Sequence, residues 1–566
     1  MHKLRRRTFI LALVILGFAG FGLWSSCWGG ACWGPSKHGF READITGIGF
    51  HSLFYLVPAP DSLNITLEHK HWALYVALFL SPFFTLSIIL EILRTFAADN
   101  FARLRLKLWK KHIVIFGGGE SARALLDEYK VRNQNVVIFS DSFKPETLAS
   151  IQAAGYPYIQ AKPTDLIMLK KARLPRASRV IVADDDDLKN MDLSALLKSY
   201  LEENRTLGAP SSVHCLILND DFQSLFIPNS RKIVEDHEAR IDLIKTAELA
   251  ARSFFTPLSL FANVLDKESD RIRLVFVGFG SQSVEVLKQL LKISLHPDLQ
   301  IAKVIVFAET AKSERDSLAA LCPELHKCAD FEFHDISDVN GYFLDLDNRS
   351  GKPNLIFVEC CDDYETLLTA VKLRDKLHLR SDESVPVVYV SKSLGDTKSD
   401  DNLSELISYD PIEAGTILSA IAGDTDTLAK KIHCAYLSEN SRRKEQATGN
   451  THAYVEWENL GEDYRSNNRR AADHIPAKKH ASGVENARAG LALHIDGNLE
   501  KLASLEHDAW SMDRRLSGWR LGPRNNSKKT HPDLIAYESL TEEIKGYDRQ
   551  QVKFIDRILR NNALDP

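Results

Sequence analysis

"KHIVIFGGGESARALLDEY", residues 111–129, is the stretch on which the fold turns. A β-branched run ends in Gly117-Gly118-Gly119, and the apolar residues after it recur at helical spacing. Strand, glycine turn and helix in this order open a dinucleotide-type βαβ unit, G-x-G-x-x-A, with Ala122 in the third place. Gly117 and Gly119 permit a tight turn and a close backbone approach, so that a pyrophosphate can rest on the helix N-terminus. The next strand, "NVVIFSD" (135–141), ends in Asp141, near the spacing at which an acid meets a ribose hydroxyl. Ser140 stands where that acid would be expected, which weakens the match.

Strand-like and helix-like pieces keep alternating through "SRVIVADDDDLKNMDLSALLKSY" (178–200), "VHCLILNDD" (213–221) and "RIDLIKTAELAARSFF" (240–255), which implies a parallel sheet. The pattern then repeats about 160 residues on. "RIRLVFVGFGSQSVEVLKQLL" (271–291) supplies strand, Gly278-Phe279-Gly280 and helix, with Ser283 in the third place. "KVIVFAE" (303–309) ends in Glu309, "NLIFVECCDD" (354–363) in an acidic cluster, and "PVVYVSKS" (386–393) adds another strand. Two lobes of one type are expected.

Length and charge bound the rest. At roughly 150 residues per domain, 566 residues make three or four domains. A formal net charge of −5 gives no sign of a nucleic-acid binder, for which a basic stripe is expected. None of the eight cysteines forms a C-x-x-C pair, and Cys322, His326 and Cys328 lack an evident fourth ligand, so no metal site is expected.

Two segments have membrane character. "TFILALVILGFAGFGLW" (8–24) is uncharged and follows Arg5–Arg7; "WALYVALFLSPFFTLSIILEIL" (72–93) carries only Glu91. Basic residues crowd outside the pair, at Lys3, Arg5–Arg7 and from Arg94 to Lys111. The positive-inside rule therefore places both termini in the cytoplasm, as expected of a two-pass protein of a bacterial inner membrane. Cys27 and Cys32 would face the outer space, where pairing is open to them. Between the spans lies "TGIGFHSLFYLV" (46–57). The residues before it are too charged for a re-entrant helix, so 46–57 itself reads as the counterpart of a pore helix. The filter position then falls on "PAPDSLNITL" (58–67), which has no glycine, and this argues against selective potassium conduction.

Two spans followed by such lobes resemble the potassium-channel and transporter regulators with TrkA-N, or RCK, domains; residues 161–199 are similar to that family's third strand, helix and fourth strand. The resemblance implies NAD(H) or another adenine nucleotide over the glycine turn, lined by Gly117, Gly119, Ala122, Asp141 and Asp184. The counterparts in the second lobe are Gly278, Gly280 and Glu309, although one lobe can keep the fold without a ligand. It also implies a homo-oligomer, a tetramer by analogy with channels or a dimer built on the lobes.

From residue 424 the strand pattern stops. "LASLEHDAWSMDRRLSGWRLGPRNNSKKTHPDLIAYESLTEEIKGYDRQQV" (502–552) resembles the RyR repeat domain of ryanodine receptors and its bacterial relatives, through Glu506, His507, Trp510, Arg514, Gly518-Trp519, Gly522-Pro523, Lys528-Lys529, His531-Pro532, Leu540, Tyr547-Asp548 and Arg549. The upstream "WENL…YRSNNRRAADHI" block is similar to it as well. Spacing places Glu506, Trp510, Arg514 and Gly518 on one helical face. Trp510, Trp519, Arg520, Lys528, Lys529 and His531 are the candidates for holding a nucleotide or another small anion; the alternative places the tryptophans in the core and leaves the lysines solvated.

The expected fold class is α/β: two transmembrane helices, tandem Rossmann-like TrkA-N/RCK-type lobes, and a mainly α-helical RyR-like domain. The boundaries are a cytoplasmic N-terminus (1–7), helix one (8–26), an external loop (27–71), helix two (72–93), a basic linker (94–110), lobes at 111–265 and 266–423, and the RyR-like domain at 424–566. The expected function is ligand sensing by a bilayer-anchored, channel-like protein. It is not expected to be an enzyme, since neither lobe is followed by a Tyr-Lys or Cys-His pair and His507 has no nucleophile beside it. Two other functions stay open: a membrane-anchored NAD(P)-dependent oxidoreductase, and a non-conducting signalling or antiviral-defence effector triggered by a nucleotide messenger.

Overall fold

The computed structural model describes residues 12, 14–19, 21, 72, 76, 79–89, 109, 111–162, 164–165, 169–170, 172–204, 210, 212–218, 239–257, 271–344, 352–378, 385–391, 406–439, 453–483 and 492–562. The chain divides into two compact units, Met1–Trp109 and Lys110–Pro566. In the first, residues 14–19 and 79–89 are helical, and the rings of Phe18 and Trp72 meet edge to face at 6.0 Å. Among the described residues no helix is long and apolar enough to cross a membrane. The expected spans 8–26 and 72–93 fall largely outside those residues, and the loop 27–71 with its segment 46–57 falls wholly outside them.

The second unit holds two parallel six-stranded sheets. The first lobe runs β1 (Ile113–Phe116), α1 (Glu120–Val131), β2 (Val136–Ser140), α2 (Pro145–Ala154), β3 (Tyr158–Gln160), β4 (Arg179–Val182), α3 (Asp187–Glu203), β5 (Ser212–Ile217), β6 (Arg240–Lys245) and α4 (Thr246–Phe255). Its strand order is β3-β2-β1-β4-β5-β6. The second lobe runs β7 (Arg271–Val277), α5 (Ser281–Ile293), β8 (Gln300–Ala308), α6 (Ala311–Leu321), β9 (Asp330–Asp335), α7 (Val339–Leu344), β10 (Leu355–Val358), α8 (Asp363–His378), β11 (Val387–Val390) and β12 (Leu406–Tyr409), in the order β12-β11-β10-β7-β8-β9. Helices cover both faces of each sheet, so the central strands are apolar at every position. Ile113–Phe116 and Leu355–Val358 are buried throughout.

The lobes exchange helices. α4 leaves the first sheet and packs on α5, and Phe255 enters the second core beside Phe357 and Tyr409. In return α9 (Ala414–Ala422), which follows β12, sets Ile417, Leu418 and Ile421 into the first core against α1. Each core is therefore completed by chain from the other half.

The C-terminal module is helical: α10 (Thr427–Glu439), α11 (Glu462–Asp473), α12 (Ile475–Ala481), α13 (Leu499–Leu516) and α14 (Glu542–Asn562), with the short pair β13 (Arg520–Leu521) and β14 (Thr530–His531). Its centre is a buried ion cluster. Glu506, 1% exposed, takes Arg470 at 2.7 Å and Lys478, wholly buried, at 2.6 Å. Burial alone would push the Glu506 carboxyl up, but the two cations hold it at about 2. Met512, Leu516 and Ala477 carry the module onto the second lobe's core, and Arg515 pairs with Glu324 at 3.1 Å across that contact.

Removing Glu506 leaves two buried cations without their counter-charge, which costs about 3–5 kcal/mol. Glu506→Gln is expected to lower the opening free energy of Leu499–Leu516 by that amount, read by hydrogen exchange on the full chain. A loss below about 1 kcal/mol would assign the neutralisation to other groups. The depressed carboxyl also sets an acid limit. Its stabilisation is complete above the ordinary glutamate value of about 4.3 and disappears as the pH falls to about 2. Near-ultraviolet circular dichroism should show the module's tertiary signal fading in that window and unchanged between pH 5 and 7.

Candidate functional site

All strands of a parallel sheet end on one edge, and a ligand crevice opens there at the point where the strand order reverses. In the first lobe that point lies between β1 and β4, which flank one another while their connections run to opposite sides. Gly117 leaves β1 with φ of +148°, and a Cβ there would strike the Ala183 carbonyl. Gly119 ends the turn and α1 begins.

The amides at the start of α1 are already taken. The Asp185 carboxylate accepts from Glu120 N–H at 3.1 and 3.2 Å, from Ser121 N–H at 3.3 Å and from the Ser121 hydroxyl at 3.3 Å. Lys144 reaches the same carboxylate at 2.7 Å. Burial works to raise the Asp185 carboxyl, yet Lys144 and the helix amides hold it below its usual range. A Cβ on Gly119 would run into this carboxylate.

Each acid of the run 184–187 has its own backbone donor. Asp184 accepts from Asp186 N–H at 3.2 Å, and burial raises its carboxyl. Asp186 caps α3 through Leu188 and Lys189, and Asp187 accepts from Leu218 N–H at 2.8 Å. Asn190 ties this loop to the sheet, accepting from Asp184 N–H and donating to the carbonyls of Asp184 and Leu216. Asp141 lies exposed just after β2, and Ala122 is on the buried face of α1.

The second lobe repeats the device with different residues. Gly278 turns at φ of +74°, and a Cβ there would strike the Glu359 carbonyl. The Glu359 side chain, at the end of β10, accepts from Gln282 N–H at 3.3 Å, Ser283 N–H at 2.6 Å and the Ser283 hydroxyl at 2.7 Å. A Cβ on Gly280 would meet that carboxylate. Glu309 is exposed at the end of β8. The structure thus brings together Gly117, Gly119 and Asp184 in one crevice, and Gly278 with Gly280 in the other, while Ala122 packs into the core. Sequence reading missed the acids that fill them. Nothing in the run 184–187 marks Asp185 apart from its neighbours.

In the C-terminal module Trp510, Trp519 and His531 do converge. The Trp510 and His531 rings lie 5.0 Å apart, and the Arg514 guanidinium stands 5.0 Å from the Trp519 ring and 5.9 Å from Trp510. Trp519 and His531 are buried, and Arg524 contacts His531 at 2.8 Å. Arg520, Lys528 and Lys529 are exposed, with Lys529 donating to the Ser517 carbonyl at 2.9 Å. α13 stops at Leu516, so Gly518 (φ +83°) lies beyond the helical face expected to include it. Glu506 points into the buried ion cluster rather than toward this group. Burial opposes protonation of His507, but Asp548 at 3.4 Å and the Ile535 carbonyl outweigh it and raise the imidazole above its ordinary value. Among the described residues, one exposed acidic group, Cys361, Asp362 and Glu365, approaches metal-ligand spacing, and it shares no residue with these sites.

The chain carries a TrkA-N domain, matched over residues 113–218, and an RyR domain, matched over residues 482–562. Similar solved structures include "GsuK channel bound to NAD" (TM-score 0.39, 11% identity, covering 75% of this chain and 83% of that one) and "Crystal structure of the GsuK bound to ADP" (TM-score 0.36, 14% identity, 73% and 95%). The "GsuK RCK domain" matches at TM-score 0.37 and 13% identity, over 56% and 78%.

Gly117→Ala is expected to cost about 1–3 kcal/mol, since a side chain at this φ is strained and meets the Ala183 backbone. Hydrogen exchange should show the loss in Ile113–Phe116. Unchanged protection would mean that the loop after β4 yields freely.

Proposed function

We propose that the chain is a membrane-anchored sensor in which adenine nucleotides, NAD(H) among them, compete with internal carboxylates for the helix starts of the lobes. The observation that carries this reading is the Asp185 carboxylate on the amides of Glu120 and Ser121, in the place a TrkA-N-type glycine turn offers to a phosphate. The surroundings fit such a ligand. The donors exist, the glycines leave the approach free of side chains, Lys144 stands beside them, and Asp141 is exposed where a ribose would lie. A phosphate and a carboxylate cannot share the two amides, so Asp185 must withdraw before Glu120 and Ser121 can donate to a nucleotide.

Withdrawal has a route outward. Asp185 sits in the loop that Asn190 pins to β5, so its release loosens the start of α3. Glu359 gives the second lobe the same arrangement. Ligand binding shifts a conformational equilibrium only through such differential contacts. In this reading the protein is regulatory rather than enzymatic, homo-oligomeric, and held in a bacterial inner membrane by segments 8–26 and 72–93, through which the lobes act on ion transport or on the membrane itself. The RyR module contributes a second recognition surface around Trp510, Trp519 and His531.

The test is isothermal titration of the full chain in detergent with NAD and with ADP. Asp185→Asn keeps the shape and removes the competing charge, and is expected to tighten binding about tenfold, or ~1.4 kcal/mol. Unchanged or weaker binding would place the nucleotide away from this helix start.

A further inference from the structure

We propose a second anion site, at the opposite edge of the first sheet, that takes a small phosphate monoester as its dianion, with Arg179 and Lys430 as the charges that hold it. The glycine turn lies where β1 ends. A cavity of about 340 Å³ lies where the neighbouring strands begin, against Arg179 of β4, Ser212 of β5 and Arg240 of β6. Its remaining walls come from α4, the end of α9, α10, Trp457 and α11, so the first lobe, the exchanged helices and the C-terminal module all border it. Ser178, Ala422 and Glu458 are exposed at its rim, which gives solutes access.

The charges lining the cavity point to the ligand class. Seven lining side chains are cationic and five carry carboxylates. Asp242 pairs with Arg240 at 3.1 Å and with Arg465 at 3.7 Å; Glu248 pairs with Lys245 at 2.9 Å. Arg469 is held by Asp426 at 2.8 Å and by Glu462, and Arg252 by Asp473 at 2.7 Å. Glu458 points to solvent at the rim. Arg179, beside the Tyr129 hydroxyl, and Lys430 are left without an ion pair to any described carboxylate. Lys430 does lower the neighbouring Asp426 carboxyl, but that acid is already bonded to Arg469. A recessed polar cavity lined by two more cations than carboxylates matches a ligand carrying two negative charges. A phosphate monoester has about that charge at pH 7, and its oxygens suit an arginine fork. His214, whose protonation burial disfavours, and the Ser178 and Ser212 hydroxyls supply neutral hydrogen-bonding groups. Leu249, Ile421 and the Trp457 ring form an apolar wall, which favours an organic phosphate over the bare ion. A ligand here would touch three parts of the unit at once, a position from which it can bias their packing.

The test is hydrogen exchange of the full chain in detergent, with inorganic phosphate or ribose 5-phosphate against chloride at equal ionic strength. Protection is expected at residues 179–182, 420–430 and 462–469, with ribose 5-phosphate effective at lower concentration. Arg179→Gln and Lys430→Gln should each weaken that protection about tenfold, ~1.4 kcal/mol, while Lys430→Arg keeps it, which separates lost charge from lost fold. Lowering the pH below about 6, where a phosphate monoester becomes a monoanion, should weaken it too. Protection confined to 117–121 would mean that phosphate binds only at the glycine turn and would overturn the proposal, as would no protection or equal protection in the Lys430→Gln chain.

Discussion

A carboxylate seated on the first amides of a helix is the contact from which the rest of the second unit can be understood. Those amides have no partner within their own helix and carry the positive end of its dipole. Left bare beside a glycine turn they bind anions. Here Asp185 and Glu359 satisfy them from within. The two acids arise at different offsets after their strands, Asp185 three residues beyond β4 and Glu359 directly after β10, and the longer glutamate side chain makes up the shorter offset. The same electrostatic outcome reached with different residues argues that it is the outcome, a neutralised helix start, that both lobes require.

The exchange of helices ties the packing of one lobe to that of the other. Because α4 completes the second core and α9 the first, neither lobe can shift its helices without disturbing the other. Charged contacts extend this linkage to the C-terminal module. Arg252 on α4 bonds Asp473 on α11 through two nitrogens, at 2.7 and 3.0 Å, and Asp426 gathers both Arg252 and Arg469. These groups are largely buried, so their interactions escape most of the screening that weakens surface pairs. The cavity of Arg179 and Lys430 is bordered by α4 and α11, the two helices that these pairs join.

Much of this was legible in the residues. The apolar strand runs and the glycine turns specified two parallel sheets, because a strand buried on both faces must be apolar at each position and a tight turn needs glycine. The family resemblance singled out Trp510, Trp519 and His531 one by one. That their rings meet, with Trp519 and His531 buried and Lys528 and Lys529 at the surface, is decided by tertiary packing. The crevice fillings were not legible either, since four successive aspartates look alike until the backbone decides which one faces the helix start. Nor was the helix exchange. "AGTILSAIA" (414–422) has the same apolar character whichever core it enters, and only tertiary packing assigns it to the first lobe. The end of α13 at Leu516 was hidden for a similar reason: the i, i+4 pattern continues to Gly518, while the backbone has already left the helix.

The central claim is that Asp185 occupies a phosphate's place and gives it up. The most direct measurement is a structure of the full-length protein in detergent at saturating ADP, by electron cryo-microscopy. The account predicts the Asp185 carboxylate withdrawn from Glu120 and Ser121, with a phosphate oxygen within hydrogen-bonding distance of those amides and of Lys144. Bound nucleotide with the Asp185 contacts intact would contradict it.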